Sequence, residues 1–142
     1  MKVNGNGQGK ILTSAELRRL FSEGLLSARD RALFAICLFT GCRISEALAL
    51  QTTDIKGGCL VFRKSTTKGK LKTRTVDVMP GLAQFLDEYQ PPKPGPLFPG
   101  MRGRSVTLTR FAADKILREA CHRIGVEGVS THSFRRDRKS VV

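Results

Sequence analysis

A chain of 142 residues, 40% of them hydrophobic, is long enough to bury a core and too short for two full domains, which points to one domain. Its 25 Lys and Arg against 12 Asp and Glu give a formal charge of +13, which disfavours an acidic small-molecule enzyme and puts a polyanion, nucleic acid first, among expected partners. The longest apolar run, Ala32 to Phe39, is far short of a membrane span, and the Gly- and Asn-rich stretch from Met1 to Lys10 has no signal-peptide core. The expectation is an intracellular, cytoplasmic protein with a flexible lead-in over 1–10, one domain over 11–142 and no membrane partner.

Thr13, Ser14, Ala15 and Glu16 read as a capping box ahead of apolar Leu17, Leu20 and Phe21, with Gly24 as the stop. Ser27 can cap a second helix with Asp30 in its first turn, and the nearly continuous apolar run from Ala32 to Phe39 makes it the central buried helix. Thr40, Gly41 and Cys42 break it. A third helix follows from about Arg43 through Ile44, Ala47, Leu48 and Leu50, with Arg43, Ser45 and Glu46 on its polar face. The period then changes: Cys59 to Phe62 and Thr73 to Val78 read as strands of a hairpin joined by a basic, Gly69-containing loop. Pro80 suits the first turn of a helix ending near Tyr89, and Pro91 to Pro96 reads as a linker or extended loop. A last helix is predicted from Thr109 to about Ile124, with Phe111, Ala112, Ile116, Leu117 and Ala120 on its apolar side and Gly125 behind it. The fold class expected is mainly α with a small antiparallel β-hairpin or sheet, and not a doubly wound one.

Cys37, Cys42, Cys59 and Cys121 form no Cys-x-x-Cys pair, and only His122 and His132 could join them, so the thiols read as structural and no metal is expected. The positive charge is concentrated. Residues 57–78 hold six basic groups and one acidic, and residues 102–142 hold ten and four. Lys64, Lys68, Lys70, Lys72 and Arg74 around one loop repel each other, a cost that makes sense if phosphates lie there.

Three pieces line up along the chain. The stretch from Thr40 to Leu48 with Arg43 and Glu46, the basic hairpin, and Thr131 to Arg136 with His132 and Arg135 together resemble, in that order, the catalytic-domain motifs of the tyrosine recombinase or phage integrase family. The likeness runs from about Ile11 to Arg136 and leaves no room for the separate N-terminal core-binding domain of many family members. It implies cleavage of a DNA phosphodiester by a tyrosine through a phosphotyrosyl intermediate, with no metal or other cofactor.

In that chemistry negative charge grows on the non-bridging phosphate oxygens, which two guanidiniums can clamp through paired hydrogen bonds. Arg43 and Arg135 match those positions, and a planar fork that keeps its proton suits the task better than Lys. The alternative for each is a pairing with a carboxylate such as Glu46. Lys68 best matches the lysine that protonates the leaving hydroxyl, with Lys70 and Lys72 in the same loop as other registers. His132 would hold the phosphate or relay a proton, and Glu46 would orient its neighbours. Lys64, Lys70, Lys72, Arg74 and Arg136 are expected phosphate contacts; Arg136 stands where a second His is common.

The family's tyrosine motif lies beyond its His-x-x-Arg motif, so it is expected to be missing before Val142. The single tyrosine, Tyr89, lies upstream and reads as a helix-end packing residue. Two functions stay open: an incomplete DNA strand-exchange domain whose tyrosine comes from a partner chain, or a catalytically inactive DNA-binding module. Both have duplex DNA as partner. A homo-oligomer is also compatible, because helices absent after Arg136 would leave apolar surface uncovered around the central helix. A type IB topoisomerase relative shares the chemistry but fits the first motif less well, and few aromatics are available for stacking RNA bases.

Overall fold

The first helical turn is set by reciprocal bonds: the Thr13 hydroxyl accepts from the Glu16 N–H at 3.1 Å, and Glu16 Oε1 accepts from the Thr13 N–H at 2.9 Å. They start α1 (Ser14–Arg19) in a computed structural model that describes residues 11–63, 73–91, 94–100 and 103–130. The helix then widens into a π-helical turn, Leu20–Gly24, closed by the Leu25 N–H on the Leu20 carbonyl at 2.8 Å. Ser27 caps α2 (Ala28–Thr40) through the Asp30 N–H at 3.0 Å, and Gly41, at φ 75°, ends it in the left-handed conformation that only glycine adopts without strain.

Every side chain of α2 from Ala32 to Leu38 is buried, as expected of a helix apolar all round. Among the described residues, the large exposed hydrophobics are Ile11, Leu26, Met79, Val106 and Phe111, none of them on α2.

After Cys42 comes α3 (Ile44–Leu48), shorter than predicted, and a 3₁₀ turn, Thr52–Asp54. Three antiparallel strands follow in spatial order β1 (Ile55–Lys56), β2 (Cys59–Phe62) and β3 (Arg74–Asp77). β1 and the Gly57–Gly58 turn, both glycines at positive φ, add a strand to the predicted hairpin. In β2, Leu60 and Phe62 are buried while Cys59 and Val61 are half-buried, the alternation of a sheet with one face on the core.

Pro80 starts α4 (Pro80–Tyr89), which packs on α2 through Leu82 and Leu86. The proline-rich stretch is more than a linker. The Gly95 carbonyl accepts from the Thr52 N–H at 2.8 Å, the Leu97 N–H donates to Leu50 at 2.9 Å, and Leu97 and Phe98 are fully buried. A second, two-stranded sheet, β4 (Pro99–Gly100) with β5 (Gly103–Thr107), was not predicted. Thr109 then caps α5 (Arg110–Ile124), and Gly125 ends it at φ 73°.

One prediction for α5 is corrected. Ala113, Leu117, Ala120, Cys121 and Ile124 form its buried face, whereas Phe111 is 85% exposed. At about 100° per residue Phe111 sits roughly 200° round from Ala113, on the opposite side of the helix.

Candidate nucleic-acid interface

Arg43 follows the break after α2 and serves as the extended N-cap of α3, at φ −78° and ψ 156°, with its side chain exposed. Three residues on, Glu46 turns back and accepts the Arg43 backbone N–H at 2.8 Å. Glu46 is therefore not on a polar face, as the sequence pattern implied; it is 6% exposed. Burial is offset by partners on Oε1, which accepts the Arg43 N–H and also lies 3.6 Å from Arg74 Nη2. The acid takes the backbone of Arg43, and among the described residues its ion pair is with Arg74.

Arg74 is cross-strand partner to Phe62, and its guanidinium carbon lies 4.8 Å from the centre of that ring. Its side chain stays 43% exposed, open to a further anion on its outer side. Phe62 and Arg74 are the last register pair before residues 64–72, so Glu46 fastens the loop end of the hairpin beside Arg43.

A second acid repeats this arrangement, and sequence reading missed it. Asp54, 5% exposed, accepts the Gln51 N–H at 2.8 Å and has Oδ2 at 3.4 Å from Arg63 Nη2. Arg63 also donates to the Ala49 carbonyl at 2.9 Å. The available signal was spacing alone, since Asp54 follows Gln51 by three as Glu46 follows Arg43. Three of the thiols pack in the core: Cys37 and Cys42 share a hydrogen bond that raises the pKa of the first and lowers that of the second, and burial pushes Cys121 up to about 11. Cys59 does not: it stays half-buried on β2 with its thiol donating to Asp77 Oδ1 at 3.4 Å. Tyr89 packs as expected at its helix end, donating to the Leu97 carbonyl at 2.8 Å with its ring stacked on Phe98 at 5.6 Å.

Of the predicted site residues, Arg43, Glu46 and Arg74 fall within the described structure and come together. Lys64, Lys68, Lys70 and Lys72, and His132, Arg135 and Arg136, lie outside the described residues. No helix among the described residues is long and apolar enough to cross a membrane.

The Arg43–Glu46 pair can be tested apart from DNA. Glu46→Ala strips the partner from the α3 N-cap and is expected to cost about 1–2 kcal/mol in chemical denaturation. Glu46→Gln keeps an acceptor oxygen and loses only the charge facing a half-exposed arginine, so its cost should stay under about 1 kcal/mol. The reverse order would mean that the ion pair outweighs the cap.

A mainly helical fold with this arginine-bearing break and a basic hairpin pinned to it defines the class: the catalytic domain of tyrosine recombinases. The chain belongs to the phage integrase family, whose model matches residues 10–139. It is 36% identical over 100 residues to the putative integrase/recombinase y4qK of Sinorhizobium fredii, an alignment covering 68% of this chain and 32% of that protein. Among solved structures it resembles the XerA recombinase, with TM-score 0.76 and 20% identity over 92% of this chain and 49% of the other. It also resembles the catalytic domain of bacteriophage HP1 integrase, with TM-score 0.60 and 25% identity over 92% and 70%. The chain thus spans about a third of y4qK and about half of XerA.

Proposed function

We propose that this chain is the DNA-contacting part of a site-specific recombinase that breaks and rejoins duplex DNA through a phosphotyrosine. The observation that carries the reading is Glu46, which holds both the Arg43 backbone and Arg74 and so sets the first arginine motif beside the stem of the basic hairpin. In this reading Arg43 and Arg135 clamp the scissile phosphate, Lys68 protonates the leaving hydroxyl and His132 holds the phosphate. Lys64, Lys70, Lys72, Arg74 and Arg136 contact flanking phosphates. XerH and lambda integrase, similar in fold, were solved bound to DNA, the latter as a tetramer on a Holliday junction; duplex DNA and an oligomer are the partners proposed here.

The nucleophile is not Tyr89. Its hydroxyl is committed to Leu97, and burial pushes the phenol up, away from the anionic form that attacks phosphorus. The tyrosine comes from outside these 142 residues, on the same protein or on a partner chain. A suicide DNA substrate tests this: the 142-residue chain alone should give no denaturant-resistant adduct, and an added C-terminal family fragment should restore one. An adduct formed without the fragment and abolished by Tyr89→Phe would overturn the assignment. An inactive DNA-binding module predicts no adduct even with the fragment.

A further inference from the structure

Two thiols stand against each other at the break between α2 and α3, and the recombinase chemistry uses neither. Cys37 lies in the last turn of α2, Cys42 follows Gly41, and their side chains share a hydrogen bond. Both are 1% exposed, and both are free thiols. The residue after Cys42 is Arg43.

The contact follows from how the helix ends. The Gly41 N–H donates to the Cys37 carbonyl at 2.9 Å, and the left-handed turn at Gly41, φ 75°, brings the next side chain back to the helix end. The Cys42 N–H donates to the Thr40 hydroxyl at 3.1 Å, and that hydroxyl donates to the Ile36 carbonyl at 2.7 Å. One peptide unit on, the Arg43 N–H donates to Glu46 at 2.8 Å, and Glu46 pairs with Arg74. A movement of Cys42 therefore reaches the bond that seats Arg43.

The two thiols are chemically unlike. Their shared hydrogen bond, with burial, raises Cys37 and keeps it protonated; the same bond is the chief cause that lowers Cys42. Cys42 is thus the attacking sulfur and Cys37 the resolving one.

We propose that Cys37 and Cys42 form a peroxide-sensitive pair whose closure into a disulfide draws Cys42 toward α2, releases Arg43 from Glu46 and weakens the hold on DNA. The last step rests on the recombinase reading above. The Cys42 thiolate attacks one peroxide oxygen, the O–O bond breaks, and the departing hydroxide is protonated to water. The Cys37 sulfur then attacks the sulfenic sulfur of Cys42: the S–S bond forms, the S–O bond breaks, and a second water leaves with the Cys37 proton. Two thiols lose two electrons, and one peroxide becomes two waters. Cys37 sits in a helix buried all along Ala32 to Leu38, whereas the break is held by single hydrogen bonds, so Cys42 is the residue that moves. Peroxide reaches the pair through local opening of that break.

Trypsin isolates the pair, because cleavage after Arg31 and Arg43 gives a peptide, 32–43, that holds these two cysteines and no other. After peroxide treatment of the full chain, that peptide should be lighter by its two thiol hydrogens and resist alkylation until reduced. In the folded protein, closing the bridge should speed hydrogen exchange at the Arg43 amide about tenfold and lower duplex affinity at fixed salt about tenfold, each the size of one lost hydrogen-bonded contact. A dithiol reductant should reverse both. Cys37→Ala should bind duplex as the parent does and keep that affinity in peroxide, and Cys42→Ala should show no bridge. A treated peptide that still alkylates at both cysteines overturns the proposal, as does a closed bridge that leaves Arg43 exchange or duplex affinity unchanged. A reduced parent that binds no DNA at low salt overturns the recombinase reading instead, and the peptide mass and Arg43 exchange then decide the thiol pair on their own.

Discussion

Affinity for duplex DNA is expected to fall about a thousandfold between 50 and 200 mM salt, the loss that follows when six or so phosphate contacts release their counterions. The number of contacts comes from the charges left available. Arg63 and Arg74 each face a buried carboxylate, so they contribute less than their formal charge. Lys64, Lys68, Lys70 and Lys72 remain on the loop, with Arg43 beside the stem and Arg135 and Arg136 in the later motif. Replacing Lys70 and Lys72 together should lower the slope by about two, while replacing Lys2 and Lys10 should change it less. A titration that is flat in salt, or no binding at low ionic strength, would remove the polyanion reading that starts from the +13 charge.

What could be read from sequence was what short-range bonds determine. Thr13, Ser27 and Thr109 each cap a helix through the N–H three residues on, and Gly41 and Gly125 each stop one at positive φ. Those features lie within a single turn and need no tertiary context. The strands β4 and β5 are different: their place depends on Thr107 reaching the Leu48 and Phe98 carbonyls, contacts that no local pattern encodes. Phe111 shows that apolar character alone does not give burial: the phase of Ala113, Leu117 and Ala120 turns it outward. The site divides in the same way. Arg43 and Glu46 belong to one motif, but the burial of Glu46 depends on Arg74 from another strand, and the Asp54–Arg63 pair joins two elements with no motif between them.

Gly24→Ala is expected to destabilise the protein by about 1–3 kcal/mol, although the backbone there suits any residue. A methyl group at Gly24 would stand 2.8 Å from the Ala120 carbonyl oxygen and 3.1 Å from the Leu20 side chain. The nearer of these is main chain in the middle of α5, which cannot turn aside, so the π-helical turn and α5 must separate. Separation also strains the 2.6 Å bond from Arg123 Nη1 to the Gly24 carbonyl. Gly81→Ala is the control. Its methyl would come within 2.7 Å of the Phe39 ring, but that ring is half-buried and can swing. The gain from replacing a helical glycine, about 0.5–1 kcal/mol, then offsets much of the clash. Thermal melts should show Gly24→Ala lower than the parent by roughly 3–10 °C and Gly81→Ala within a few degrees of it. If the two variants melt together, the approach at Gly24 is looser than 2.8 Å implies. The contact bears on DNA as well, because α5 leads through Gly125 and Val129 to Thr131, His132 and Arg135. Gly24→Ala should therefore weaken duplex binding even well below its melting temperature, whereas Gly81→Ala, on α4 against α2, should leave it unchanged.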